Sequence, residues 1–142
     1  MSIFFAEPGG IMWEAACEPS HRCDTDQLAF KGFLSRFMTY ASQVAPFIAK
    51  QVNTHLKTSA PAAAKSCSGG KDNVTCGTTW VNETWDGTYG VGQQLSALET
   101  IQNLLVFMDH EHYHPPYNKT DGGNSTGNPA SGTQQPVVQS HP

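Results

Sequence analysis

Residues 67–105 read CSGGKDNVTCGTTWVNETWDGTYGVGQQLSALETIQNLL, from Cys67 to Leu105. Cys67 and Cys76 bracket a Gly-containing turn, Trp80 and Trp85 follow, and glycines at 90 and 92 open a run on Val91, Leu95, Leu98, Ile101, Leu105 and Met108. That spacing is the 3.6-residue period of an amphipathic helix. Leu104, Val106 and Phe107 widen its apolar surface until the helix is greasy nearly all round, and such a helix expects partners on most sides. One apolar helix hung on a long, cysteine-bracketed loop therefore sets the pattern for the chain.

Upstream, Asp24 as N-cap with Gln27 at N3 forms a capping-box variant that starts another helix. Its stripe is Phe30, Phe33, Leu34, Phe37, Met38, Ala41 and Val44, which predicts one buried face, with Lys31, Ser35, Thr39 and Ser42 off it. Pro46 fits the first position of the next helix, which carries Phe47, Ile48, Val52 and Leu56. Pro61 predicts a kink there, or a restart from a Thr58 or Ser59 cap, before Gly69-Gly70 ends the element. No strand alternation of convincing length occurs, so the fold class is all-α: about three to five helices with disulfide-bounded loops.

At 142 residues the chain allows one domain, 1–113, followed over 114–142 by a polar, Pro- and Gly-rich tail that cannot support a core. A net charge of −4, with eight Lys and Arg scattered singly, gives no footprint for nucleic acid or an anionic membrane surface. No stretch approaches the ~20 apolar residues needed to span a bilayer.

Four Asn-x-Ser/Thr acceptors, at Asn73, Asn82, Asn118 and Asn124, point to the secretory pathway. Four cysteines agree, because Cys17, Cys23, Cys67 and Cys76 lack the CxxC spacing of a zinc or redox motif. Three connectivities are open, and the two local pairs, Cys17 with Cys23 and Cys67 with Cys76, are the expected ones; four buried thiols are the alternative. Met1–Gly10 has neither the basic start nor the small-residue cleavage site of a signal peptide, and the C-terminus lacks the hydrophobic segment of a GPI-attachment signal. A chain with secretory features and no leader reads as one missing its beginning.

The candidate chemistry is sugar binding. Asp24 and Asp26, two apart at a helix start, suit capping better than catalysis. Asp86, between Trp85 and Gly87, can accept protons from sugar hydroxyls, or close a turn. Trp80 and Trp85 can stack on pyranose rings, or anchor the loop in a core. Gln93 and Gln94 stand at the helix mouth, while Glu99 reads as a surface or helix–helix residue. His110 and His114 have i, i+4 spacing, but Pro115-Pro116 follows and no further ligands are fixed nearby, so neither metal nor cofactor is expected.

Taken together, Gly10-Ile11-Met12-Trp13-Glu14, Cys17-Glu18-Pro19, Cys23-Asp24-Thr25-Asp26-Gln27, Phe30-Lys31-Gly32-Phe33-Leu34-Ser35-Arg36, Cys76-Gly77, Trp80, Trp85-Asp86-Gly87, Gly90-Val91-Gly92-Gln93-Gln94 and Ser96-Ala97-Leu98 resemble the C-terminal part of the fungal branch of glycoside hydrolase family 76. The resemblance implies part of an (α/α)6 toroid and action on α-1,6-linked mannose, in mannan or in the glycan of GPI anchors, during cell-wall assembly. It also implies a consecutive Asp-Asp catalytic pair upstream of the matched region, and no Asp-Asp dipeptide occurs in this chain. Asp26, Gln27, Lys31, Trp80, Asp86 and Gln93 are then the candidate groove-lining, substrate-binding residues, and no catalytic residue is assigned. A noncatalytic mannan-binding or wall-interaction module is the alternative.

Overall fold

The computed structural model describes residues 2–108. The tail at 114–142, the His110–His114 run and the acceptors Asn118 and Asn124 lie outside the described residues. Three helices carry the structure: α1 (Phe30–Val44), α2 (Ala49–Ser66) and α3 (Val91–Gln102), each packed against the other two. Ahead of them β1 (Phe5–Ala6) and β2 (Ile11–Met12) pair antiparallel, Phe5 opposite Met12 and Ala6 opposite Ile11. The helical class expected from the sequence holds, with this two-residue ladder as an addition.

Local chemistry explains where the helices begin. α1 is entered through a 3-10 turn, Gln27–Ala29, and the Gln27 side-chain oxygen accepts the Asp24 N–H at 2.8 Å, the reaching-back half of a capping box. The Asp24 carbonyl accepts the Leu28 N–H at 3.3 Å. Pro46 opens another 3-10 turn, Pro46–Ile48, that leads into α2. Beyond α3 a further such turn, Asn103–Phe107, folds Leu104 and Phe107 back onto the core.

The helix around Pro61 does not restart at Thr58 or Ser59. α2 runs through Pro61 as one element, with the proline on its exposed side. A proline in a helix interior costs ~3 kcal/mol. Val52 and Leu56 on the opposite face are completely buried, and each contributes roughly 1.5–3 kcal/mol, enough to hold the helix together. Ser59, rather than capping, accepts the Met12 N–H at 2.9 Å, and the His55 ring stacks on Phe5 at 3.8 Å, so the hairpin is fastened to α2. Phe5, Met12, Met38, Val52, Leu56, Ala62, Ala63, Trp80 and Ala97 form the core.

The buried face of α1 is the opposite of the one its periodicity predicts. Lys31, Gly32, Ser35, Met38, Thr39 and Ser42 face inward, whereas Phe30, Phe33, Phe37, Tyr40 and Val44 are exposed, Phe37 and Tyr40 by more than 60%. α3 repeats the inversion: Gln93, Ser96, Ala97, Glu99 and Thr100 are buried, while Val91, Leu98 and Ile101 are exposed, as are Leu105 and Met108, which the periodicity assigned to this helix but which lie beyond its end. Only Met38 of the α1 stripe is buried as expected. The reason is close approach. The Gly32 N–H donates to the Ser96 hydroxyl at 3.2 Å, that hydroxyl donates to the Leu28 carbonyl at 2.9 Å, and a Cβ on Gly32 would stand 3.1 Å from the Ser96 Cα. Asn103 donates to the Ser35 hydroxyl at 3.0 Å, and Arg36 forms an ion pair with Glu99. Small and polar side chains let the two backbones meet and satisfy one another, which leaves the phenylalanines on the far side.

Candidate functional site

A cavity of about 190 Å³ opens where four segments converge: the loop closed by Cys17 and Cys23, the turn before α1, the segment 78–88 and the first turn of α3. Glu18, His21, Cys23, Leu28, Thr78, Thr79, Asp86, Thr88 and Gln93 line it. Both local disulfides are formed, and no cysteine is free. The first pins one wall of the cavity, and the second closes the hairpin that leads into Thr78-Thr79.

Asp86 organises the upper wall. One of its oxygens accepts the Thr79 N–H at 2.8 Å; the other accepts the Thr88 N–H at 3.0 Å and the Thr88 hydroxyl at 2.6 Å. The Thr88 hydroxyl in turn accepts the Thr78 N–H at 2.9 Å, and the Trp85 indole donates to the Thr88 carbonyl at 2.7 Å. Such a turn needs left-handed backbone, which Gly87 supplies at φ 86°. Gly77 lies directly under the carboxylate, where a Cβ would collide with it. Partial burial pushes the Asp86 carboxyl up, but the hydrogen bonds from Thr88 and Thr79 outweigh this and hold it below the ordinary carboxylate range. It is an ionised acceptor at neutral pH.

At the cavity floor, Glu18 forms a buried ion pair at 2.6 Å with Lys31 beneath it, each side chain only 3% exposed. Lys31 also donates to the Thr78 carbonyl, and its ammonium lies 4.2 Å above the Trp80 ring. Burial pushes the Lys31 ammonium down; the charge and hydrogen bond of Glu18 oppose this without reversing it. One lysine thus joins the N-terminal loop, α1, the Thr78 segment and the core tryptophan. Glu18 spends its other oxygen on nothing, and the same holds for Gln93: Glu18 Oε2 and Gln93 Oε1 are buried with no hydrogen-bond partner among the described residues. An ionised carboxylate beside glutamine and threonine side chains suits a neutral, hydroxyl-rich ligand that donates hydrogen bonds.

Of the six residues singled out by sequence, Asp86 and Gln93 line this cavity. Lys31 and Trp80 lie beneath it as buried support, and Trp80 has no exposed face on which a ring can stack. Asp26 is exposed beside the turn before α1, and Gln27 is occupied with the Asp24 N–H. Glu18, Thr78, Thr79 and Thr88 escaped notice; the Thr78-Thr79 pair ahead of Trp80 and the Thr88 after Asp86-Gly87 were the available signal. Gln94 closes the hairpin instead, accepting the Cys76 N–H at 3.1 Å, and Glu99 is the helix–helix residue it was read to be.

Comparison with known proteins gives a consistent set of relatives. The family described as "Glycosyl hydrolase family 76" matches residues 1–117. The chain is 48% identical over 132 residues to the mannan endo-1,6-alpha-mannosidase DCW1 of Candida glabrata, and 47% identical over 132 residues to that of Saccharomyces cerevisiae. In both cases 93% of this chain is matched to 28% of the relative, so the chain spans little over a quarter of those proteins. Among solved structures, the crystal structure of Dfg5 from Chaetomium thermophilum in complex with glucosamine superposes with a TM-score of 0.71 at 32% identity, over 92% of this chain and 32% of that one.

Proposed function

The chain belongs to glycosyl hydrolase family 76, and from that premise we propose that it forms one wall of the glycan groove of a protein acting on α-1,6-linked mannose. The ligand is α-1,6-mannan or the mannose-containing glycan of a GPI anchor, met in a secreted or cell-wall setting. Asp86, Gln93 and the Thr78-Thr79 pair receive the sugar, and Thr88, Glu18, Lys31 and Trp80 hold that wall in place. The phenylalanine face of α1 is covered by the other helices of an (α/α)6 toroid.

The observation that carries this reading is the cavity itself, where the ionised Asp86 carboxylate meets Gln93, Glu18 and the Thr78-Thr79 pair. Bond cleavage needs different chemistry. A glycosidase pairs one protonated carboxyl with a second carboxylate, roughly 5–9.5 Å apart. Here Asp86 is held ionised by Thr79 and Thr88, and Glu18 is committed to Lys31. The residues of this chain therefore bind and orient a glycan, and the acid and the nucleophile or base come from elsewhere in such a protein. Because the residues that line the cavity all fall within 18–93, a self-standing mannan-binding module is the second reading.

The test is retention on immobilised α-1,6-mannan, with Gln93→Leu and Asp86→Asn as variants and mannan hydrolysis followed in parallel. Saturable retention, weakened about tenfold by Gln93→Leu without loss of fold, is the expected result, and turnover of mannan by the chain would overturn the division of labour. Unchanged retention in both variants would remove the cavity from the proposal.

A further inference from the structure

Two acceptor motifs found in the sequence play no part in the cavity. Asn73 lies near the tip of a hairpin in which Gly69 and Thr75 exchange backbone hydrogen bonds, both 3.0 Å, and which the Cys67–Cys76 disulfide closes at its base. Its backbone is left-handed, φ 58°, a conformation asparagine tolerates better than most residues. Asn82 is the third residue of a turn in which the Glu83 N–H donates to the Trp80 carbonyl at 2.9 Å. Glu83 also pairs with Lys65 at 2.5 Å, which ties that turn to the end of α2.

Both asparagines are exposed, and neither carboxamide makes a hydrogen bond among the described residues. Neither lines a cavity described above, and neither belongs to the phenylalanine face of α1. The loop that carries the second turn packs on the hairpin, because Trp85, two residues past Glu83, lays its ring against Gly69 where a Cβ would stand. A bulky polar modification at either position therefore breaks no contact and unburies nothing.

We infer that Asn73 and Asn82 are both N-glycosylated, so that this hairpin-and-turn surface carries two oligosaccharides and faces water. The assignment rests on the secretory setting proposed above. In the reaction the asparagine nitrogen attacks C1 of a lipid-diphosphate-linked oligosaccharide: an N–C bond forms, the C1–O bond to the diphosphate breaks, the amide proton passes to a base, and the lipid diphosphate leaves. No electrons are exchanged. The Thr75 and Thr84 hydroxyls complete the two acceptor triplets.

The test is passage of the full chain through the secretory pathway of a eukaryotic host, followed by peptide mapping after enzymatic deglycosylation in heavy-oxygen water, which converts each occupied Asn to labelled Asp. Labelled Asp at both 73 and 82 is the expected result. Thr75→Ala and Thr84→Ala should each remove one label and one step in gel mobility, and Thr75→Ser should retain it. Secreted chain with both disulfides formed and with Asn73 or Asn82 unlabelled overturns this assignment and leaves the secretory reading standing. Free thiols at all four cysteines in the native protein overturn the secretory reading and the assignment together.

Discussion

Replacing Lys31 by Met should be among the most damaging single changes available in the described residues. The Lys31 and Glu18 side chains are each 3% exposed and meet at 2.6 Å, and the ammonium also reaches the Thr78 carbonyl and the Trp80 ring. Methionine fills nearly the same volume, so the loss is electrostatic rather than steric. It leaves Glu18 as a buried carboxylate whose remaining contact is the Glu14 N–H at 2.8 Å. Breaking a buried pair on one side typically costs about 3–5 kcal/mol. Against the roughly 5–15 kcal/mol that stabilises a domain of this size, that is a large share, and a fall in Tm of about 12 °C or more follows. Urea titration and thermal melts of Lys31→Met, Glu18→Leu and the double variant form a cycle. If the damage is the stranded charge, the double variant recovers much of the loss, and the coupling energy exceeds about 1 kcal/mol. A loss under about 1 kcal/mol for Lys31→Met, or strictly additive losses in the double variant, would refute the reasoning.

Three other outcomes follow from the geometry. Asp86 is held below the ordinary carboxylate range, so its contribution to stability is present above the unfolded pKa of ~3.9 and is lost as pH falls through the lower, folded value; urea midpoints of Asp86→Asn should lose that part of the acid dependence. Gly32→Val drives a branched side chain into the Ser96 backbone and should cost about 1–3 kcal/mol in chemical denaturation, although valine is the better helix former. Phe33→Ser with Phe37→Ser should change monomer stability by less than about 0.5 kcal/mol per site and reduce self-association measured by sedimentation, because both rings are exposed.

Helix positions and disulfide pairing were legible from local signals: Gln27 reaching back ahead of α1, Pro46 at a helix start, Gly90 before Val91, and two cysteine pairs of short separation, although Asp24, read as the N-cap, caps nothing with its side chain and the caps fall at Asp26 and Ala29. Orientation was not. Periodicity shows that α1 and α3 are two-faced, but which face meets its neighbour depends on how closely the backbones approach, and Gly32 against Ser96 decides that. Pro61 misled because its penalty is local while the burial that offsets it, at Val52 and Leu56, is tertiary. In the candidate site, Asp86 and Gln93 stood out by residue type and context. Glu18 did not, because nothing local marks a glutamate that will be buried against a lysine thirteen residues later. Thr78, Thr79 and Thr88 went unremarked because their meaning comes from tertiary partners: Asp86 for the Thr79 N–H and the Thr88 hydroxyl, and the Thr88 hydroxyl for Thr78.

The outward-facing aromatic side of α1 has a calorimetric consequence. The heat-capacity change of unfolding follows newly wetted apolar surface, about 12–15 cal/mol/K per residue in ordinary domains. Phe37, Tyr40 and Val44, together with Phe47 at 88% exposure, are already wetted before the chain unfolds, so their rings and branches add little to that change. The stability curve of this chain should accordingly be flatter than its length suggests, with a shallow maximum and little loss on cooling. Anything that covers that side would restore the missing curvature, and the difference between the two curves would measure the area covered.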